Sequence, residues 1–210
     1  MEEYFTVTQD SAGTVEAKRS KFIAALHHVE SEAEALDFIN REKKKYHDAK
    51  HHCSAYIIKD KSRGQDIERF NDDGEPSGTA GKPIMEVISG AGLKDVVCVV
   101  TRYFGGVLLG TGGLVRAYSD AAKESVSNCS RIKMIPRQSV ELEFDYFLTG
   151  KIDNLLESLS CVKNGAEYTD KVRYDLGCDP EKIAELKEKI TELSAGTVEA
   201  KTGELIYTPG

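Results

Sequence analysis

The sequence predicts an α+β protein built from two small domains, 1–135 and 136–210. Three observations predict it. At 210 residues the chain is long for one core and comfortable for two. Pro136 follows a complete helix-and-strand unit and marks the expected boundary. Beyond it, the hydrophobic periodicity reads strand, helix, strand, strand, helix, strand.

In the first domain, residues 4–8 and 13–28 alternate well enough for early strands. Ser31-x-x-Glu34 is a capping box that opens a helix with Leu36 and Ile39 on its buried stripe. Cys53–Lys59 reads as a strand, and Lys61–Ser77 as a loop rich in Asp, Gly and Pro. A helix follows over Thr79–Ile88, with Pro83 in its first turn, where a missing N–H costs little. Asp95–Phe104 is the clearest strand, because Val96–Val100 is continuously apolar, as a central strand requires. A glycine-rich loop then leads to a helix over Gly113–Cys129, with Leu114, Tyr118, Ala121, Ala122 and Val126 on one face.

In the second domain the strands are Ser139–Asp145, Val162–Tyr168, Lys171–Leu176 and Gly196–Tyr207. Its helices are Thr149–Leu159 and Pro180–Leu193. Asp179 caps the latter, Pro180 takes its first position, and Ile183, Leu186, Ile190 and Leu193 form its stripe. The order βαββαβ is the ferredoxin-like plan.

Composition narrows the function classes. Forty per cent hydrophobic and 30% charged residues describe an ordinary globular chain. No apolar run approaches the roughly 20 residues that span a bilayer, and the acidic start Glu2-Glu3 is wrong for a signal peptide. Five scattered cysteines without a Cys-x-x-Cys pair imply free thiols in a reducing cytoplasm and no metal site. The net charge of −7 is uneven: −1 over residues 1–135 and −6 over 136–210. The first domain can therefore present a basic surface to RNA, and the second is disfavoured for it.

Three clusters could carry chemistry. Lys50-His51-His52-Cys53 enters a strand, whose alternation sends His51 and His52 to opposite faces. Its plain reading is a polar strand end. Asp72-Asp73-Gly74-Glu75-Pro76-Ser77-Gly78-Thr79-Ala80-Gly81-Lys82 brings three carboxylates close to a helix start. It could hold Mg²⁺ or offer amide groups, or be a turn capped by Ser77 or Thr79. It is not a P-loop, since Pro76 and Pro83 occupy essential positions.

The third cluster runs Arg102-Tyr103-Phe104-Gly105-Gly106, then Gly110-Thr111-Gly112-Gly113-Leu114-Val115-Arg116. A strand, a glycine loop and a helix start make an anion or RNA site, with arginines for phosphate and aromatic faces for bases. The same glycines also serve tight turns and close packing.

Taken in order, these blocks, together with Arg69-Phe70, Pro83 and Ala117-Tyr118, resemble the YigZ/IMPACT family over nearly the whole chain. The resemblance implies a first domain like domain 2 of ribosomal protein S5, followed by a ferredoxin-like domain. That pair is similar to domains IV and V of elongation factor G, which links the family with translation and RNA. Eukaryotic members act on a kinase pathway through an additional N-terminal domain, so a bacterial-type member is the closer fit. Leu108 stands where many bacterial members have lysine.

The expected function is a non-enzymatic, cytoplasmic, translation-linked regulator without cofactor or membrane partner. It would bind the ribosome, structured RNA or a translation partner through His51, His52, Arg102, Tyr103, Gly105, Gly106, Thr111, Gly112, Gly113 and Arg116. Asp72, Asp73, Glu75, Ser77, Thr79 and Lys82 are secondary candidates. The alternatives are a small-molecule enzyme or nucleotide binder, with Asp73 or Glu75 as base or metal ligand, and a protein-binding adaptor using the ferredoxin-like sheet.

Overall fold

The computed structural model describes residues 2–60 and 65–210. Residues 61–64 of the loop expected over Lys61–Ser77 lie outside the described residues. The chain divides into two compact units of mixed helix and sheet. One is Tyr4–Lys133; the other is Met134–Gly210 with Glu2 and Glu3.

The first unit contains β1 (Tyr4–Val7), β2 (Ser11–Ala17), β3 (Ser20–His28), α1 (Glu32–Lys45), β4 (His51–Ile58), β5 (Ile67–Asn71), α2 (Gly81–Gly90), β6 (Val96–Tyr103) and α3 (Thr111–Ser127). Its sheet runs β2-β3-β6-β4-β5, antiparallel at every pairing. Helices α2 and α3 cover one face, burying Ile84, Ile88, Leu114 and Tyr118 against Phe22, Leu26, Cys98 and Val100. On the other face α1 sets Ala35 and Phe38 against Tyr56, Ile58, Val97 and Val99. Strand β6 is thus buried on both faces, which is why Val96–Val100 never alternates. Each such side chain contributes about 1.5–3 kcal/mol by leaving water.

Ser31 caps α1 by accepting from Glu34 N at 3.3 Å, and Glu34 reciprocates on Glu30 N at 2.8 Å. The buried stripe of α1 is Ala35, Phe38 and Glu42, whereas Leu36, expected on it, is 52% exposed. Strand β5 lies inside the expected loop. As an edge strand exposed on both faces, it carries no alternation for a sequence reading to detect.

The second unit contains most of β7 (Arg131–Phe144), then α4 (Thr149–Ser158), β8 (Val162–Tyr168), β9 (Val172–Cys178), α5 (Ile183–Leu193) and β10 (Lys201–Pro209). These strands lie in the order β10-β7-β9-β8, each pairing antiparallel. Leu142, Phe144, Tyr174 and Leu176 meet Ile152, Leu156, Leu186 and Ile190 from the two helices. Asp179 caps as expected, accepting from Glu181 N at 3.0 Å, but the first turn, Pro180–Lys182, is 3₁₀. Pro136 does not interrupt the chain: β7 runs through it, opposite Tyr207. Strand β9 joins β7 only from Gln138, so on that side the proline has no ladder to break.

The cysteine reading needs correction. Cys161 and Cys178 form a disulfide; Cys53, Cys98 and Cys129 are free. The two look remote in sequence, yet the β8–β9 register pairs Val162 with Gly177, which places their neighbours opposite one another with Cα atoms 4.5 Å apart. Among the described residues, no helix is long and apolar enough to cross a membrane. Alkylation of the native chain, without reductant, should therefore label Cys129 first. Cys53 and Cys98, fully buried, should react only after unfolding, and Cys161 and Cys178 only after reduction. Five equally available thiols in denaturant alone would contradict the pairing.

Candidate functional site

The three clusters meet around one buried ion pair. Arg102, near the end of β6, donates from Nη1 to Glu75 Oε1 at 2.6 Å, with side chains 7% and 4% exposed. Tyr118 of α3 donates to the same oxygen at 2.9 Å, and Cys53 Sγ of β4 lies 3.3 Å from the Tyr118 hydroxyl. Burial pushes both the Tyr118 hydroxyl and the Cys53 thiol far up, so both stay protonated at neutral pH. The Arg102 guanidinium sits 5.5 Å from the ring centres of Phe22 and Phe104. Its Nε has no hydrogen-bond partner among the described residues.

The acidic cluster is used in building this loop. Asp72 accepts from the backbone N–H groups of Gly78, Ala80 and Gly81 at 2.8, 3.0 and 2.8 Å. Burial pushes its carboxyl up, but these three donors outweigh that and hold it below the usual range. Asp73, at a positive φ of 45°, pairs with Lys43 at 2.9 Å and accepts from His52 N at 2.7 Å. It too is lowered, against burial, by Lys43 and that amide. Its carbonyl accepts from His51 Nδ1 at 2.9 Å. His52 is buried, its Nε2 reaching Tyr46 O at 3.1 Å. Thr79 is buried with its hydroxyl on Pro76 O at 2.6 Å, while Ser77 and Lys82 are exposed. Each carboxylate thus has its own cation or set of amides, and Glu75 is engaged by Arg102 and Tyr118.

The remaining candidates separate. Tyr103 faces away from Arg102 and donates to Asp48 at 2.7 Å; that bond, with some burial, pushes its hydroxyl up to about 12. Gly105 packs so closely on the β2–β3 turn that a Cβ there would lie 2.1 Å from the Arg19 backbone. Gly105 N also donates to Ser20 Oγ at 3.1 Å. Gly106 is exposed at φ 81°. Thr111 and Gly112 are exposed and Gly113 half-buried at the start of α3, where Gly110 at φ 76° supplies no side-chain cap. Arg116 is exposed beside a shallow cavity of about 310 Å³ that it shares with Lys18, Glu16, Asp120 and Leu109.

Sequence reasoning missed Lys18 and Arg19. They form the two-residue turn between β2 and β3 at φ 45° and 68°, where Asn-Gly is the favoured pair. Ala17-Lys18-Arg19-Ser20 contains no Gly, Pro, Asn or Asp to mark a turn, so the positive φ values are visible only in the fold. Lys18, Arg19 and Arg116 make no ion pair among the described residues.

Known proteins share this arrangement of sequence. Residues 18–126 match the Impact N-terminal domain, and residues 142–197 match a domain of unknown function, DUF1949. The chain is 37% identical over 207 residues to the IMPACT family member YvyE of Bacillus subtilis, covering 99% of this chain and 94% of that one. It is 33% identical over 184 residues to the IMPACT family member YigZ of Escherichia coli, covering 88% and 90%. A crystal structure described as that of a hypothetical protein aligns with TM-score 0.68 and 31% identity over 97% of this chain and 98% of the other.

Two outcomes follow from this geometry. Arg102→Ala leaves Glu75 buried without its cation and should cost about 3–5 kcal/mol in urea unfolding; a loss below about 1 kcal/mol would make the pair incidental. Asp72 and Asp73 bind protons less readily folded than unfolded. Their contribution is complete above about pH 4 and is lost as pH falls through their lowered values. Asp72→Asn should therefore flatten the acid limb of the stability profile, and an unaltered limb would refute its role as an ionised cap.

Proposed function

Because the chain belongs to the IMPACT family, we propose that it is a translation-linked regulator that works in the cytoplasm by binding rather than by catalysis. Its ligand is the ribosome or a structured RNA, engaged through the first unit. The observation that carries this reading is a division of labour among charges. Arg102, Asp72, Asp73 and Glu75 are consumed in holding the loops, while Lys18, Arg19 and Arg116, exposed around the glycine-rich segment, have no ion pair among the described residues. The amide groups opening α3, capped by no side chain, supply further donors for phosphate. Phe104, 47% exposed, adds a face for stacking.

Strand orders support a finer reading of the two folds. The order β10-β7-β9-β8, with α4 and α5 packed on one face, supports a ferredoxin-like second unit. The β2-β3-β6-β4-β5 sheet under α2 and α3 supports a first unit like domain 2 of ribosomal protein S5. In a reducing cytoplasm the Cys161–Cys178 bond is open to reduction.

The test is the salt dependence of association with purified ribosomes and with a structured RNA hairpin. Lys18→Asn with Arg19→Gly removes two charges and installs the pair that the turn prefers, so melting temperature should hold or rise. Combined with Arg116→Ala, it should weaken binding and reduce the log–log salt slope by about one unit for each phosphate that is no longer neutralised. Unchanged affinity and slope for both ligands would sink the reading.

A further inference from the structure

The second unit carries an aromatic corner that the RNA reading leaves unused. The short 3₁₀ turn Tyr146–Leu148, between β7 and α4, buries Leu148 but leaves Tyr146 51% and Phe147 77% exposed. Tyr168, at the end of β8, is 58% exposed. A hydrogen bond from the Tyr146 hydroxyl to Thr169 O at 2.7 Å ties this turn to the β8–β9 hairpin. Tyr146 and Tyr168 stand 6.5 Å apart, and Tyr168 continues onto the buried Tyr174 at 6.3 Å. The corner is therefore braced, and its exposure belongs to a fixed surface.

Carboxylates flank the rings, with Lys171 and Arg173 close by and Lys151 exposed in the first turn of α4. Asp145 immediately precedes Tyr146, and Asp170 follows Tyr168 in the hairpin turn; both are exposed, and neither forms an ion pair among the described residues. Glu143, by contrast, is taken by Lys171 at 3.8 Å and Arg173 at 3.3 Å. The sequence from 136 onward carries a net charge of −6. Asp170 accepts from the Thr169 hydroxyl at 3.1 Å and has no cation. Exposed aromatic faces beside carboxylates without an ion pair suit cationic side chains twice over, through the ring quadrupole and through charge. The same acidity repels a phosphate backbone.

We propose that this corner is a docking surface for a basic protein segment, one carrying Arg or Lys interspersed with aliphatic residues. The aromatics anchor it, and Asp145 and Asp170 select its charge. The proposal goes beyond RNA binding by the first unit and concerns a different partner class.

Fluorescence anisotropy on the full chain tests it, with a labelled peptide alternating Arg, Leu and Gly as probe. Phe147→Ala with Tyr168→Ala should weaken binding at least about fivefold. Asp145→Asn with Asp170→Asn should weaken it too and flatten its salt dependence, a second arm that stays informative if the aromatic variant loses its fold. The Lys18→Asn, Arg19→Gly, Arg116→Ala variant should bind the peptide like wild type, so failure of the RNA reading and failure here are separable. The proposal is overturned if the wild-type chain prefers a Glu-for-Arg peptide or binds neither, or if the aromatic and carboxylate variants bind as wild type. Displacement of the peptide by oligouridine from this corner would assign the surface to RNA instead. A dimer dissolved by Phe147→Ala would assign it to a second copy of the chain.

Discussion

The buried pair between Arg102 and Glu75 sets the conditions for everything around it in the first unit. Taking two charges out of water costs several kcal/mol each, and attraction alone does not reliably offset that. Here the deficit is met by geometry: the carboxylate oxygen receives both a guanidinium N–H and the Tyr118 hydroxyl. Those donors come from β6 and α3, and the acceptor from the loop that leads into α2. One ion pair therefore fixes three segments that are far apart in sequence. Asp72 completes the same loop by gathering three backbone donors, and Asp73 anchors it to α1 and β4. A stretch that reads like a metal or phosphate site is a hydrogen-bonded joint.

That joint removes Arg102, Asp72, Asp73 and Glu75 from the exposed charge of the first unit. Once Arg102 is committed inward, exposed cations near the glycine-rich segment include Lys18 and Arg19 on the β2–β3 turn and Arg116 on α3. The turn is held in place by the close contact of Gly105 with Arg19, which only a residue without a side chain allows. Lys18 and Arg19 accept positive φ values that L-residues ordinarily avoid, so the local sequence departs from turn preference where charge is presented.

The two units differ in charge, a net −1 over residues 1–135 and −6 over 136–210. On the first, Lys18, Arg19 and Arg116 are exposed near the glycine-rich segment. On the second, carboxylates stand beside exposed tyrosine and phenylalanine rings.

The sequence by itself determined most of the secondary structure, because its signals are local. Ser31, Asp179 and Pro180 fix helix starts through hydrogen bonds within a few residues, and Val96–Val100 announces a strand buried on both faces. The His51, Asp72 and Arg102 segments that the sequence singles out do converge in space. What those residues do was decided by tertiary structure. Arg102 and Arg116 look equivalent in sequence; one lies 7% exposed against Glu75, the other open to solvent, because β6 points Arg102 under α3. Cys161 and Cys178 became partners only through the β8–β9 register, and β5 was invisible because an edge strand needs no alternation. Charge pairing, register and burial depend on segments brought together from a distance, and a linear chain records the residues without recording which of them will face each other.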